Sequence, residues 1–306
     1  MSEKSPENLD ASDRDLTNRK FYPADQEAGF AEQVARTTPQ TADPAYRLAF
    51  RDTDFLLRDE LRPVRFQLEL LKPEMLLDEA GVGSTLVMYG SARIPSPEQA
   101  AMMLETVDSL PEAEARVARN LADKARYYDE AYRLAKMVSE RGIVEDGERQ
   151  FVICSGGGPS IMEAANKGAA DAGAESIGLN IVLPHEQAPN VYVTPHLSFQ
   201  FHYFALRKMH FLLRARAVAV FPGGFGTCDE FFELLTLIQT GKMKPIPILL
   251  FGRDFWNRVV NFDALADEGT INREDLDLIT WCETAEDAWT AVCGFYGLAG
   301  KPLDGC

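Results

Sequence analysis

Positive charge is scarce in this 306-residue sequence: 31 Lys and Arg stand against 47 Asp and Glu, a net charge of −16. The averaged field of such a chain repels nucleic acid and anionic lipid surfaces, so neither is an expected partner. A long apolar run is missing too. None reaches the roughly 18 residues of a membrane-spanning helix, and no membrane association is expected. Cysteines are few and scattered: Cys154, Cys228, Cys282, Cys293 and Cys306 form no Cys-x-x-Cys pair of the kind that holds zinc or a dithiol centre. His185, His196, His202 and His210 lack metal-ligand spacing, so no metal site is expected. The opening Met-Ser-Glu-Lys-Ser-Pro-Glu-Asn has no apolar stretch like that of a secretory signal. Reduced thiols in a cytoplasmic protein are the expectation.

What is present is an ordinary folded composition, 46% hydrophobic and 25% charged. At about 150 residues per domain, the length allows two units at most. Residues 1–44 are polar and aperiodic, which predicts a largely extended or partly disordered arm. Leu57, Leu61, Val64, Leu68 and Leu71 then step as the stripe of an amphipathic helix, kinked or restarted at Pro63, that packs on the main domain or on a second subunit. At Thr85 the pattern becomes a short apolar run ending in Gly90, as a buried strand ending in a turn does. The expected division is an N-terminal arm and helical extension over 1–83, then a principal domain over 84–306.

A helical hairpin is expected next, one arm from about Ser96 to Leu110 and a long second helix ending at Gly142. From Phe151 the chain alternates strand and helix. Strands are predicted at 151–154, 176–183, 190–194 (a short edge strand), 217–221, 247–251 and 278–282. Helices are predicted at 160–172, 199–214, 227–240 and 256–265, with a last one opening at Thr284, where Thr-x-x-Asp makes a capping box. This alternation implies an α/β fold, a Rossmann-like open parallel sheet with helices on both faces plus the N-terminal helical extension.

Three strands end in glycine turns: Gly90-Ser91, Ser155-Gly-Gly-Gly-Pro-Ser160 and Pro222-Gly-Gly-Phe-Gly-Thr227. In a parallel sheet these ends share one edge, where ligands of open α/β folds bind. Free N–H groups at a helix start, with glycines allowing close approach, suit a phosphate. Gly223 to Thr227 is the stronger candidate, because Thr227 offers both hydroxyl and N–H; glycines at 156–158 equally serve a tight turn. Neither loop is a Walker A or a Gly-x-Gly-x-x-Gly fingerprint, which disfavours ATP hydrolysis and NAD binding. Glu230, three residues after Thr227, is either a capping-box partner or a carboxylate at the floor of a phosphate-binding mouth. Arg207 and Lys208 lie on a helix otherwise rich in Phe, Leu and Met, and face either solvent or a ligand.

Together Gly90-Ser91-Ala92-Arg93, the Gly156-Gly-Gly-Pro-Ser-Ile-Met-Glu-Ala-Ala-Asn166 turn and helix, Leu183-Pro-His-Glu-Gln187, Arg207-Lys208 and Pro222-Gly-Gly-Phe-Gly-Thr-Cys-Asp-Glu230 resemble the LONELY GUY family of nucleotide phosphoribohydrolases. The resemblance runs from about Thr85 to Phe251. It implies hydrolysis of the N-glycosidic bond of a purine nucleoside 5'-monophosphate, AMP or a cytokinin riboside 5'-monophosphate, without metal or other cofactor, in a dimer or higher homo-oligomer. It implies Glu230 as the catalytic carboxylate and Arg207 as a catalytic residue that orients the ribose, the phosphate or Glu230 itself. It implies substrate contacts from Gly90, Ser91, Arg93, Gly157, Gly158, Lys208, Gly223, Gly224, Gly226 and Thr227, with Glu163, Asn180, Glu186 and Gln187 as weaker candidates. Members are often labelled lysine decarboxylases, yet nothing in the sequence resembles a pyridoxal-phosphate site. The alternative is a carrier that binds a mononucleotide or phosphorylated cofactor without cleaving it. The extra N-terminal and hairpin helices leave the wall around the base unassigned.

Overall fold

The computed structural model describes residues 21–34, 37–184 and 188–298. Its contacts divide the chain into two units, Met1–Arg65 and Phe66–Cys306. The sequence pattern set this division at about residue 83. The difference arises at helix α4 (Arg62–Glu79), which sends Phe66, Leu70, Leu76 and Leu77 into the core of the second unit. The first unit is built of short helical pieces, α1 (Ala24–Gln33), α2 (Pro39–Ala42) and α3 (Thr53–Leu56). Thr38 and Thr41 cap α2 reciprocally, and the Asp52 carboxylate accepts the Phe55 N–H at the start of α3. The arm expected to be extended is therefore helical over 24–33 and 39–42; residues 1–20 of that reading lie outside the described residues.

In chain order the second unit adds strand β1 (Thr85–Tyr89) and helices α5 (Pro97–Thr106), α6 (Glu112–Ala122) and α7 (Arg126–Arg141). The hairpin β2 (Val144–Glu145) and β3 (Glu148–Arg149) precedes β4 (Val152–Ser155), α8 (Ile161–Asp171), β5 (Ser176–Ile181) and β6 (Ser198–Phe201). Helix α9 (Phe204–Leu213), β7 (Ala215–Val220), α10 (Phe225–Gln239) and β8 (Ile248–Phe251) follow, then α11 (Arg253–Val259), α12 (Phe262–Asp267), β9 (Ile279–Cys282) and α13 (Ala285–Tyr296). Seven strands form one parallel sheet in the order β6-β5-β4-β1-β7-β8-β9. This is the expected α/β architecture. The central strands are buried on both faces: Val87 and Tyr89 join the core under α4, α9 and α10, while Leu86 and Met88 join the core under α7, α8 and α13. That double burial is why they read as continuous apolar runs.

Four expectations need correction. Asn190–Thr194 is irregular, and the edge strand is β6; Ser198–Phe201 alternates inward Phe199 and Phe201 with outward Gln200, a period of two that the aromatic-rich sequence hid within a helix. The helix ending at Gly142 is two helices, α6 and α7, broken at 123–125, so no single helix of thirty residues overhangs the sheet. The helix expected at 256–265 is likewise split, because Asn261 ends one piece and caps the next by accepting the Ala264 N–H. Of the two packing partners expected for the α4 stripe, the main domain does not cover it: Leu68 and Leu71 are 52% and 53% exposed, and α4 buries Pro73 and Leu77 instead.

Helix α4 nevertheless holds α9. The Glu69 carboxylate accepts the backbone N–H groups of His202 (2.9 Å) and Tyr203 (3.1 Å), supplying a cap that α9 lacks from its own sequence. Pro73 has no N–H to donate to the Glu69 carbonyl four residues earlier. His210 Nε2 donates to that freed carbonyl instead, at 3.1 Å.

Candidate active site

Strand order reverses at β1: β4, β5 and β6 build outward on one side, β7, β8 and β9 on the other. The loops leaving β1 and β7 therefore part from each other and open a crevice at the carboxyl end of the sheet. A cleft of about 800 Å³ occupies it, lined by Gly90 to Arg93, Gly156, Arg207, and Gly223 to Glu230. Its size suits a nucleotide-sized ligand, since such sites run to about 300–1,000 Å³. The Ser91 N–H donates to Pro222 O at 3.1 Å, tying the two loops together at the crevice floor.

Helix α10 begins at Phe225, two residues before the sequence reading placed it, and no side chain caps it. The Cys228 N–H makes the first ladder bond, to Gly224 O, so the amides ahead of it have no partner among the described residues. With the positive end of the helix dipole, they form an anion-binding mouth. Gly223 is required there: a Cβ at this position would collide with Thr227 Oγ1. On the opposite wall a Cβ at Gly156 would come within 2.7 Å of Arg207 Nη2, so a side chain there would displace the guanidinium.

The early start of α10 removes the capping-box reading of Glu230. Thr227 is the third residue inside the helix rather than its N-cap, so Thr227 and Glu230 do not form a capping box. Glu230 is 8% exposed, lines the cleft, and its carboxylate accepts no hydrogen bond among the described residues. Burial pushes its pKa up to about 7, outweighing the downward pull of Lys208 and Arg207; Glu233 and Asp229 add to the rise. Facing the same cleft, Arg207 donates through Nε to Leu179 O at 2.7 Å and lies 5.1 Å over the Phe211 ring. Its two Nη groups have no hydrogen-bond or ion-pair partner among the described residues. Burial lowers the Arg207 pKa and the Glu230 charge opposes this, yet an arginine stays cationic.

The other expected residues divide. Gly90, Ser91, Arg93, Gly223, Gly224, Gly226 and Thr227 line the cleft with Arg207 and Glu230. Lys208 does not: its ammonium bridges Asp229 at 2.9 Å and Glu233 at 3.0 Å, bonds that raise its pKa against the opposing effect of burial. Gly157 and Gly158 lie off the cleft wall, in a buried polar network where Ser155 accepts the Gly157 N–H and Asn190 Nδ2 donates to Gly158 O. Asn166 holds that network together, its Oδ1 accepting from Ser155 and Asn190 and its Nδ2 donating to Ser176. Glu163 accepts from the Tyr128 hydroxyl, and Asn180 donates to Phe199 O. His185, Glu186 and Gln187 lie outside the described residues. Among those described, no cluster of His, Cys, Asp and Glu could hold a metal ion.

Sequence reasoning missed the apolar wall of Met88, Tyr89, Met162, Phe204, Phe211, Phe225, Val259 and Val260. Phe225, 97% exposed at the mouth, and Tyr89, at the end of the first strand, were legible only as the variable residue of a glycine turn and as the last apolar residue of a run.

A family model described as "Possible lysine decarboxylase" matches residues 162–292. The chain is 27% identical over 154 residues to cytokinin riboside 5'-monophosphate phosphoribohydrolase LOG2 of Arabidopsis thaliana, covering 49% of this chain and 67% of that protein. It is 28% identical over 167 residues to cytokinin riboside 5'-monophosphate phosphoribohydrolase LOG of Oryza sativa subsp. japonica, covering 54% and 65%. The chain thus spans about two thirds of the length of these relatives. Among solved structures, the molybdenum cofactor carrier protein from Chlamydomonas reinhardtii is 20% identical with a TM-score of 0.38, covering 56% of this chain and 88% of that one. The structural genomics target TM1055 is 19% identical with a TM-score of 0.41, covering 68% and 98%. At such scores the likeness carries nothing about ligand. A pyridoxal-phosphate decarboxylase needs a lysine placed to form a Schiff base. No lysine lines this cleft, and Lys208 is held by two carboxylates, so the residues do not fit that cofactor. The family model and the relatives bear out the resemblance to the LONELY GUY family drawn from the motifs.

Proposed function

We propose that this chain, similar to the LONELY GUY phosphoribohydrolases through the motifs that line its cleft, hydrolyses the N-glycosidic bond of a purine nucleoside 5'-monophosphate. AMP and cytokinin riboside 5'-monophosphate are the substrates we infer. The observation that carries this reading is the pairing, in one cleft, of a buried carboxylate and a half-buried guanidinium whose reacting ends are both uncommitted among the described residues, beside an uncapped helix start.

In this reading the 5'-phosphate sits at the start of α10, held by backbone N–H groups of Gly226 and Thr227 and by the Thr227 hydroxyl. Binding there fixes the ribose over Glu230, so remote phosphate binding energy goes into orientation at C1'. As the C1'–N9 bond breaks, its electron pair leaves with the base, which takes up a proton, and positive charge grows on the sugar. The Glu230 carboxylate stabilises that charge and accepts a proton from the water whose oxygen bonds to C1'. A pKa near 7 suits a group that must be a base at neutral pH and still exchange protons readily. Arg207, through its free Nη groups, orients the ribose phosphate and favours the ionised form of Glu230. Met162 and Phe204 give the base an apolar surface. Lys208 acts indirectly, by neutralising Asp229 and Glu233.

A second copy of the chain is the partner we infer for α4, where Leu68, Leu71 and Met75 stay 52%, 53% and 57% exposed at helical spacing. A reducing, cytoplasmic setting agrees with the unpaired Cys154, Cys228, Cys282 and Cys293. Among the described residues no helix is long and apolar enough to cross a membrane. Chromatography of the protein incubated with AMP or N6-isopentenyladenosine 5'-monophosphate tests the activity. Free base is the expected product; tight nucleotide binding with no base released would make the cleft that of a carrier.

A further inference from the structure

In the same cleft as Glu230 lies a second polar group whose presence the core does not explain. Tyr89 ends β1, lines the cleft and is 5% exposed, and its hydroxyl is buried without a hydrogen-bond partner among the described residues. Its ring meets Phe211 edge-on at 5.1 Å, and Phe211 in turn carries the Arg207 guanidinium. Phenylalanine would fill the same space without stranding a hydroxyl, and leaving a buried donor unpaired is costly. Buried phenylalanines at 211, 221 and 231 are accommodated in these cores without difficulty.

The charged and titratable groups facing the Tyr89 hydroxyl are Glu230 and Glu233 on α10, Arg207 on α9 and Cys154 on β4. Arg207 offers only donors, and Cys154 is a weak acceptor whose thiol burial keeps protonated. Glu233 pairs with the Lys208 ammonium at 3.0 Å and, unlike Glu230, does not line the cleft, although its buried Oε2 also has no hydrogen-bond partner among the described residues. Glu230 is the carboxylate that shares the cleft with Tyr89, and it too has no hydrogen-bond partner among the described residues. Burial raises the Tyr89 pKa far enough that the hydroxyl keeps its proton and can only donate to a carboxylate.

We propose that Tyr89 is a positioning residue for Glu230: when ligand fills the cleft, the Glu230 carboxylate turns onto the Tyr89 hydroxyl and accepts its hydrogen bond. This rests on the reading of Glu230 as the carboxylate of the reaction. The bond fixes which carboxylate oxygen faces the sugar. It also favours the ionised form at the moment a base is needed, in a setting where Glu233 and Asp229 oppose ionisation and Lys208 and Arg207 support it.

Tyr89→Phe tests the inference, with two readouts. Turnover of AMP should fall at least tenfold in kcat with KM changed less than twofold, and the rising limb of the kcat against pH profile should move upward by about one pH unit, a tenfold shift in proton affinity. The melting temperature should hold or rise, because the variant removes a stranded hydroxyl. Independently of turnover, infrared titration of the Glu230 carboxyl, identified by its loss in Glu230→Gln, is followed with ribose 5-phosphate bound. The midpoint should lie about tenfold in proton concentration on the alkaline side in Tyr89→Phe relative to wild type. Equal midpoints and equal kcat in the two proteins overturn the inference, as does a loss of activity that merely tracks a lower melting temperature. Should wild-type protein release no base from AMP, the proposed activity fails while the infrared comparison still decides the hydrogen bond.

Discussion

Replacing Glu230 by Gln should make the protein more stable, and the gain should grow with pH. In the folded chain the carboxyl titrates near 7, against a reference of 4.5, mainly because it is buried. Between those two values the folded chain keeps a proton that the unfolded chain has released, so stability falls as pH rises through the window. Below pH 4.5 both states are protonated and the penalty vanishes; above 7 it is fully present. The interval of about 2.5 pH at 1.36 kcal/mol each gives a cost of about 3 kcal/mol. With Glu230 only 8% exposed, solvent screening removes little of this. Glutamine resembles the protonated acid in shape and carries no charge to desolvate. Scanning calorimetry of wild type and Glu230→Gln from pH 5 to 8 should show near-equal melting at pH 5 and a gap on the order of 5–10 °C at pH 8, given about 2–4 °C per kcal/mol for domains of this size. A gap independent of pH, or a variant that melts below wild type at pH 8, would refute the argument that burial strains this carboxylate.

Other outcomes follow from the same geometry. Log kcat/KM for AMP should rise with unit slope up to about pH 7 and then flatten, as free-enzyme Glu230 loses its proton; a flat profile between pH 5 and 8 assigns the base elsewhere. Gly223→Ala forces a methyl group against Thr227 and should raise KM for AMP at least tenfold, whereas unchanged affinity for ribose 5-phosphate by calorimetry removes the phosphate from the α10 mouth. Arg207→Ala should lower kcat/KM at least a hundredfold, about 3 kcal/mol, with Arg207→Lys restoring little because an ammonium cannot reproduce the guanidinium fork. Glu69→Ala strips the cap from α9 and should cost about 1–2 kcal/mol in urea unfolding; a neutral result shows that α9 is held by packing alone.

The sheet was legible because its strands are buried on both faces, which writes short apolar runs such as Thr85 to Tyr89 and Ala217 to Phe221 into the sequence. Glycine turns pointed to the strand ends, and two motifs, Pro222 to Glu230 and Arg207-Lys208, supplied the two groups on which the proposed function rests. What failed did so for local reasons. The edge strand at Ser198–Phe201 shares its aromatics with the start of α9, and the cap that separates them is Glu69, distant in sequence. The break between α6 and α7 carries no proline or glycine. Lys208 and Arg207 are adjacent in sequence, and only the structure shows one turned to α10 carboxylates and the other to the cleft. Gly157 and Gly158 read as phosphate-binding glycines, yet they do not line the cleft: the Gly157 N–H donates to Ser155 Oγ and both carbonyls accept from Asn190. The Tyr89 hydroxyl has no signature in sequence at all, since its significance is the absence of a partner.

The measurement that bears most directly on the central claim is the fate of AMP. Purified protein incubated with AMP, and in parallel with N6-isopentenyladenosine 5'-monophosphate, should yield free base and ribose 5-phosphate in equal amounts, and Glu230→Gln should lose that release by at least a thousandfold while still binding nucleotide. If neither nucleotide yields free base although calorimetry shows that both bind, or if Glu230→Gln turns over like wild type, the account of this cleft as a phosphoribohydrolase site is wrong.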